Sequence, residues 1–216
     1  MRIWIRYALY LIVFIGFSVS AAGSYDDFFA AVRQDNDRVV RALLKRGFDP
    51  NTLAPNGEPG LILAMRESSL KVVGALLETP LTQVEFRTAN DESPLMLAAL
   101  KGHLAVCKEL ISHDADVNKP GWTALHYAST GGHAKVVQLL LDSHAYIDAS
   151  SPNGSTPLMM AARYGSVDVV KLLLEAGADP LIKNSIGLTA VDFAAQVQRD
   201  DVVAVITTAM RSKSKD

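Results

Sequence analysis

The chain is poor in the residues that staple, clamp or catalyse. One cysteine, Cys107, stands among 216 residues, so no internal disulfide is possible and stability has to come from packing. Positive charge is scarce as well: 21 lysines and arginines face 23 acids for a net charge of -2, and the loose cluster Arg211-Ser212-Lys213-Ser214-Lys215 reads as a solvated tail. A chain that neutralises phosphates needs a basic surface, which argues against nucleic acid as a partner class. No G-x-x-x-x-G-K-[ST] element and no nucleophile elbow occur, and serines and acids do not cluster outside the repeating columns described below, so an enzyme is disfavoured. Apolar material is what the chain has in quantity: 49% of residues against 20% charged, enough for a sizeable core.

Residues 1–22 have a composition of their own. Arg2 and Arg6 lead an apolar run from Tyr7 to Phe17, followed by the small residues Ser18-Val19-Ser20-Ala21-Ala22. The run is shorter than the roughly 18 apolar residues that cross a membrane comfortably. Charge, apolar run and small residues in that order predict a secretory signal peptide cut after Ala21 or Ala22. An uncleaved anchor over residues 7–19 is the alternative, and no cysteine lies nearby to carry a lipid. Cleavage leaves 19 basic and 23 acidic residues, a balance of -4, in a protein expected to be periplasmic or secreted.

Asn153 to Pro180, reading NGSTPLMMAARYGSVDVVKLLLEAGADP, is the clearest copy of a unit that recurs along the rest of the chain. It opens on the turn signal Asn153-Gly154, and Thr156 then offers a hydroxyl cap before Pro157, which suits the first helical position. Gly165 breaks the apolar pattern, a second apolar run spans Val167 to Leu174, and Gly177 stands where a helix C-cap belongs. The unit therefore reads as helix, turn, helix. Three columns test it: Phe28, Leu61, Leu95, Leu125, Leu158 and Val191 in the first helix, Val39, Val72, Val106, Val136, Val169 and Val202 in the second, and Leu43, Leu76, Leu110, Leu140, Leu173 and Ile206 beyond. The second column is always 11 and the third always 15 residues past the first, and successive copies start 33, 34, 30, 33 and 33 residues apart. The short interval falls at Asp116 to Gly121, so one connection is truncated.

The Thr-Pro-Leu element and this period make the chain similar to the ankyrin-repeat family, of the exported, bacterial periplasmic type. The resemblance implies an all-α solenoid of about six helix-turn-helix units with hairpin-like fingers, each unit burying its apolar face on its neighbours. Residues 1–22 are then the signal peptide, 25–210 the repeat domain, and 211–216 a polar tail. The repeats lie near 25–55, 56–89, 90–120, 121–152, 153–184 and 185–210. The second copy is the most degenerate, with Pro59-Gly60 in place of a hydroxyl and proline and Thr79-Pro80 in place of a C-cap glycine, so the segment to Ala89 is expected to take a different course. The end copies carry Asp26-Asp27-Phe28 and Val191-Asp192-Phe193 and read as caps.

The same resemblance implies a non-enzymatic module that binds another protein through finger and helix positions facing its concave side, as a monomer, with a membrane involved only if residues 7–19 stay attached. Matched by column, the finger positions are Glu58, Glu92, Trp122, Ser155 and Leu188. The helix positions are Arg66, Glu67, Leu100, Lys101, Thr130, Gly131, Arg163 and Tyr164. The partner-binding set drawn from them is Glu58, Arg66, Glu92, Leu100, Lys101, Trp122, Thr130, Arg163 and Tyr164. Trp122 stands out because tryptophan beside arginine and tyrosine has the composition of an interface hot spot. Alternatively, it folds over the gap left by the short connection.

Candidate metal chemistry is thin, and no cofactor or metal is expected. His103 and Cys107 are four apart with His113 beyond, but zinc asks for three or four converging ligands, and Gly102-His103 and Gly132-His133 repeat as an inter-helix turn. The resemblance implies that these rings bond backbone groups and that His126 of the Thr-Ala-Leu-His element bonds Thr123 or nearby backbone. Asp114-Ala115-Asp116-Val117-Asn118 imitates the start of a calcium loop, then fails with Lys119 at the sixth position and Leu125 at the twelfth. Asn153-Gly154-Ser155 has the form of a glycosylation acceptor, but the repeat needs Asn-Gly there for its turn.

Overall fold

A computed structural model describes residues 23–213. The signal peptide or anchor expected over residues 1–22 and the last tail residues, 214–216, lie outside the described residues. The chain divides into two compact units meeting between Gln83 and Val84, inside the segment where the second repeat was expected to depart from the pattern.

The first unit holds α1 (helical over 23–33), α2 (Asp37–Lys45), α3 (Gly60–Glu67) and α4 (Leu70–Leu77). Its core is Phe28, Val32, Val40, Leu43, Leu61, Ile62, Met65, Val72 and Leu76, all buried. The Phe28 ring lies 4.6 Å from Phe48 and 5.1 Å from Phe29. It also explains the degenerate second copy, because a Cβ on Gly60 would stand 2.7 Å from that ring. Glycine is what lets α3 approach α1, and Pro59 takes the N-cap place without a side-chain bond. Ser69 likewise makes no cap bond at α4. Asp35 from the preceding repeat does this work, its Oδ1 accepting the Lys71 and Val72 N–H groups at 2.9 and 3.1 Å. After α4, the Thr82 hydroxyl donates to the Leu76 carbonyl at 2.6 Å, ending the helix without a glycine.

The second unit runs through α5 (Pro94–Leu100), α6 (Leu104–Ser112), α7 (Ala124–Gly131), α8 (Ala134–Asp142), α9 (Pro157–Tyr164), α10 (Val167–Glu175), α11 (Ala190–Ala195) and α12 (Asp200–Lys213). First helices pack in one row, α5 on α7 on α9 on α11, and second helices in another, α6 on α8 on α10 on α12. The hydroxyl column starts every first helix: Ser93, Thr123, Thr156 and Thr189 each accept the N–H of the residue three further on. The side chain of that residue answers by accepting the cap residue's own N–H. Met96 and Met159 do so through sulfur at 3.4 Å, His126 through Nδ1 at 3.2 Å and Asp192 through Oδ2 at 2.7 Å. These reciprocal pairs are the physical content of the Thr-Pro-Leu-His column.

Leu95, Leu125 and Leu158 are fully buried, whereas Val191 of the last copy is half-buried, in keeping with a cap. α12 runs three residues past Met210. Among the described residues there is no β-strand, only one isolated bridge at Leu53 and Pro59, so the fingers are turns and not sheets. Nor is any helix there long and apolar enough to cross a membrane. Cys107 is buried in α6, and burial pushes its thiol up to about 12. Native protein is therefore expected to leave Cys107 unreacted with a maleimide at pH 7.5 and to label fully in denaturant, a difference mass spectrometry would read directly.

Candidate functional site

Four of the nine residues placed at the binding surface by column come together in the second unit. Glu92 from a finger, Leu100 from the end of α5, Trp122 from the truncated connection and Thr130 from α7 line one groove of about 340 Å³, completed by Tyr127 and Met160. The side chains of Leu100, Trp122 and Met160 are apolar, and the only charged lining residue is Glu92. Leu100 is 37% exposed, and Trp122 is half-buried with its ring 5.2 Å from that of His126 at 77°. The Tyr127 hydroxyl donates to Glu92 Oε1 at 3.4 Å. The Thr130 hydroxyl is used internally, donating to the His126 carbonyl at 2.8 Å.

The remaining candidates sit elsewhere. In the first unit Arg66 grips Glu58 with two nitrogens, Nη2 at 2.8 Å and Nε at 3.1 Å from Oε1, so these two form a charge-assisted ion pair. Glu67 is exposed. In the second unit Lys101 is exposed, and Arg163 lies 5.3 Å over the Tyr164 ring while donating to Gln196 Oε1 at 2.8 Å. None of those three second-unit residues lines the groove. Gly131 offers no side chain and tolerates none, since a Cβ there would stand 2.6 Å from the Leu100 carbonyl oxygen. Leu188 is half-buried. Ser155 is buried, contrary to its expected place on the finger surface, because its carbonyl is the acceptor for a histidine of the preceding repeat.

That histidine is His126, fully buried. Its Nδ1 accepts the Thr123 N–H at 3.2 Å and faces the Thr123 hydroxyl at 2.9 Å. Its Nε2 carries the proton and donates to the Ser155 carbonyl at 2.9 Å, which bolts the fourth repeat to the finger of the fifth. Burial is the main influence on the ring and depresses its pKa to about 4. The expected inter-helix turn bond is present at His133, whose Nε2 meets the Leu100 carbonyl at 2.9 Å. The expectation does not carry over to His103, whose buried Nε2 has no hydrogen-bond partner among the described residues. No three of His, Cys, Asp and Glu there are grouped to hold a metal ion.

At the shortened connection the side chain that goes inside is Lys119, with 5% of its surface exposed. Its Nζ pairs with the Asp91 carboxylate of the preceding fingertip and donates to the Pro120 carbonyl at 3.0 Å. Fingers of the other copies close by a bond from the first residue's N–H to the carbonyl four residues on: Ala54 to Glu58, Thr88 to Glu92, Ser151 to Ser155 and Asn184 to Leu188. With three residues missing, the fourth copy lacks this closure, and the lysine bridge stands in its place. Column reasoning missed Tyr127 and Met160. Both lie two past the first landmark, in a column reading Ala30, Leu63, Leu97, Tyr127, Met160 and Phe193, and the run of large residues there is the signal that would have found them.

A family profile, "Ankyrin repeats (3 copies)", matches residues 28–120, 81–151, 117–184 and 144–214. Among curated proteins, the chain is 33% identical over 178 residues to the nuclear factor NF-kappa-B p105 subunit of Gallus gallus, covering 79% of this chain and 18% of that protein. It is 30% identical over 111 residues to the ankyrin repeat and SAM domain-containing protein 6 of Mus musculus, covering 50% and 13%. A Treponema pallidum (strain Nichols) protein described as ankyrin repeat-containing is 28% identical over 181 residues, covering 79% and 58%. The chain thus spans less than two thirds of each of these relatives. A solved ankyrin repeat domain from Acinetobacter baumannii AYE superposes with a TM-score of 0.73 at 23% identity, over 84% of this chain and 96% of that one. Taken with the stacked helix pairs and the reciprocal caps, these matches show that the chain belongs to the ankyrin-repeat family.

Proposed function

We propose that this chain is an exported, monomeric, non-enzymatic binding protein that captures a partner protein at the groove of Glu92, Leu100, Trp122 and Thr130. Ankyrin repeats generally mediate protein–protein interaction, and their fold is typically a non-enzymatic scaffold. The observation that carries the reading to this site is convergence. Positions chosen by column alone, on two successive repeats, line one groove with an aromatic side chain at its edge. The buried Lys119 at the short connection supports a binding role for Trp122, since the lysine occupies the interior there while the indole stays half-exposed. Export rests on the composition of residues 1–22, outside the described residues.

A photo-crosslinking side chain at position 101, beside the groove and outside its lining, is expected to trap a protein in intact cells. Trp122→Ala is expected to weaken that capture by about 2 kcal/mol, as for an aromatic anchor, with little change in the denaturant midpoint. A loss of about 3 to 5 kcal/mol in folding stability would instead make Trp122 a core filler. Intact mass of the native protein checks export: removal of about twenty residues at the small-residue site is expected, and a full-length mass in the membrane fraction would replace the exported form with an anchored one.

A further inference from the structure

We propose that His126 is an acid-operated latch on the groove: protonation of its ring frees Trp122 and parts the wall between the fourth and fifth repeats, releasing a bound partner. As a means of letting go of a partner this rests on the protein-binding reading, whereas the movement of Trp122 is a property of the fold. The ring holds both sides of the groove. Nε2 donates to the Ser155 carbonyl at 2.9 Å, and Ser155 leads into α9, which carries Met160. On the other side Nδ1 accepts the Thr123 N–H at 3.2 Å, one residue after Trp122, and the indole packs edge to face with the imidazole at 5.2 Å. The His126 carbonyl accepts from Thr130, a third lining residue, at 2.8 Å. The finger that carries Trp122 has no closing backbone bond among the described residues, so Lys119 on one side and the Thr123–His126 pair on the other take over that task.

A proton taken from solvent onto Nδ1 sets two donors, Nδ1–H and the Thr123 N–H, against each other, and it places a charge where no counter-charge waits. The influences on the ring are burial, which lowers its pKa to about 4, and backbone bonds to Ser155 and Ala149. Around it, Glu92 and Lys101 flank α5, Tyr127 lies on α7, His133, Lys135 and Asp142 belong to α8, Asp148 follows it, and Arg163 and Tyr164 end α9. None of these groups is an influence on the imidazole. Once the finger opens, the exposed ring titrates near 6.5. Between that value and about 4, acid therefore favours the open finger by up to about tenfold per pH unit.

Trp4→Phe leaves Trp122 as the only tryptophan of the full chain, and acrylamide quenching of its fluorescence reads the opening. The quenching constant is expected to rise at least about twofold between pH 7.5 and 4.5 while circular dichroism shows the helices intact. His126→Met, the residue that Met96 and Met159 supply in their repeats, is expected to stay flat. NMR of the parent gives an independent check: the His126 ring protons, assigned through their contact with Trp122, and the Trp122 indole N–H are expected to titrate with one midpoint. A rise of the same size in His126→Met, separate midpoints, or quenching that rises only as the helices melt would overturn the latch. The crosslink at position 101 keeps the two readings apart. The captured protein, once purified, is expected to bind the parent at least about fivefold more weakly at pH 5 than at pH 7.5, and His126→Met equally at both. A parent that binds equally at both would overturn the release. An acid response of Trp122 with no captured protein in cells refutes the partner protein and leaves the latch standing.

Discussion

Asp91→Gly is expected to destabilise the protein by about 3 kcal/mol, the cost of leaving a buried lysine without its counter-charge, although glycine is the better residue for the local backbone. Asp91 sits at φ 60°, and the same fingertip position in other repeats is Gly57, Gly121, Gly154 and Gly187, all at positive φ. A left-handed conformation costs an ordinary side chain free energy and costs glycine almost none. Asp91 therefore occupies a glycine position at a local disadvantage. The charge on Lys119 explains the exception. With the lysine 5% exposed, its ammonium has only the Pro120 carbonyl left once the carboxylate is gone.

The reverse substitution is expected to be mild. Lys119→Met keeps most of the buried stem and leaves an aspartate whose side chain is already 66% exposed, so a change under about 1 kcal/mol follows. The double variant is expected to recover nearly all the stability lost in Asp91→Gly. Urea denaturation of the four proteins gives the coupling energy, and additive effects would show that the bridge does not hold the truncated finger.

Acidification is expected to remove a further increment of about 3 kcal/mol through His126. In the unfolded chain the imidazole titrates near 6.5, and in the folded protein burial holds it neutral down to about 4. Between those values the unfolded state binds a proton that the native state does not, so stability rises with pH. The contribution is fully present above pH 6.5, declines as pH falls, and is exhausted below about pH 4. Protonation also spoils the geometry, because Nδ1 would become a donor facing the Thr123 N–H, itself a donor.

The repeats themselves suggest the control. Met96 and Met159 fill the position of His126 and accept the same cap N–H through sulfur, so His126→Met keeps the cap acceptor and removes the titration. It gives up the bond to Ser155, at about 1 kcal/mol, and is expected to show a flatter stability profile than the parent between pH 6.5 and 4. Identical slopes in chemical melts across that range would exclude His126 as the source.

The sequence by itself determined the architecture of this protein, and the reason is repetition. Each helix pair exposes an apolar face that only a neighbour can bury, so the positions of Leu95, Leu125 and Leu158 are fixed by the same local chemistry each time, as are the hydroxyl caps at Ser93, Thr123 and Thr156. A column repeated six times reports packing that a single copy would leave ambiguous. The columns that place Glu92, Leu100, Trp122 and Thr130 are periodic for the same reason, and these four side chains line one groove.

Only the tertiary structure decided what happens where the period breaks. The missing residues before Trp122 gave no hint that Lys119 would turn inward to a fingertip aspartate, because that pairing spans 28 residues and belongs to no repeated column. Gly60 likewise looked like decay of the signature, and is there because the Phe28 ring fills the space its Cβ would need. Ser155 read as a surface residue until His126 was seen to claim its carbonyl, and Tyr127 and Met160 became groove residues only once adjacent repeats were stacked. Periodic positions are set by local rules repeated along the chain, whereas exceptions are set by what lies across from them in space, which sequence order does not encode.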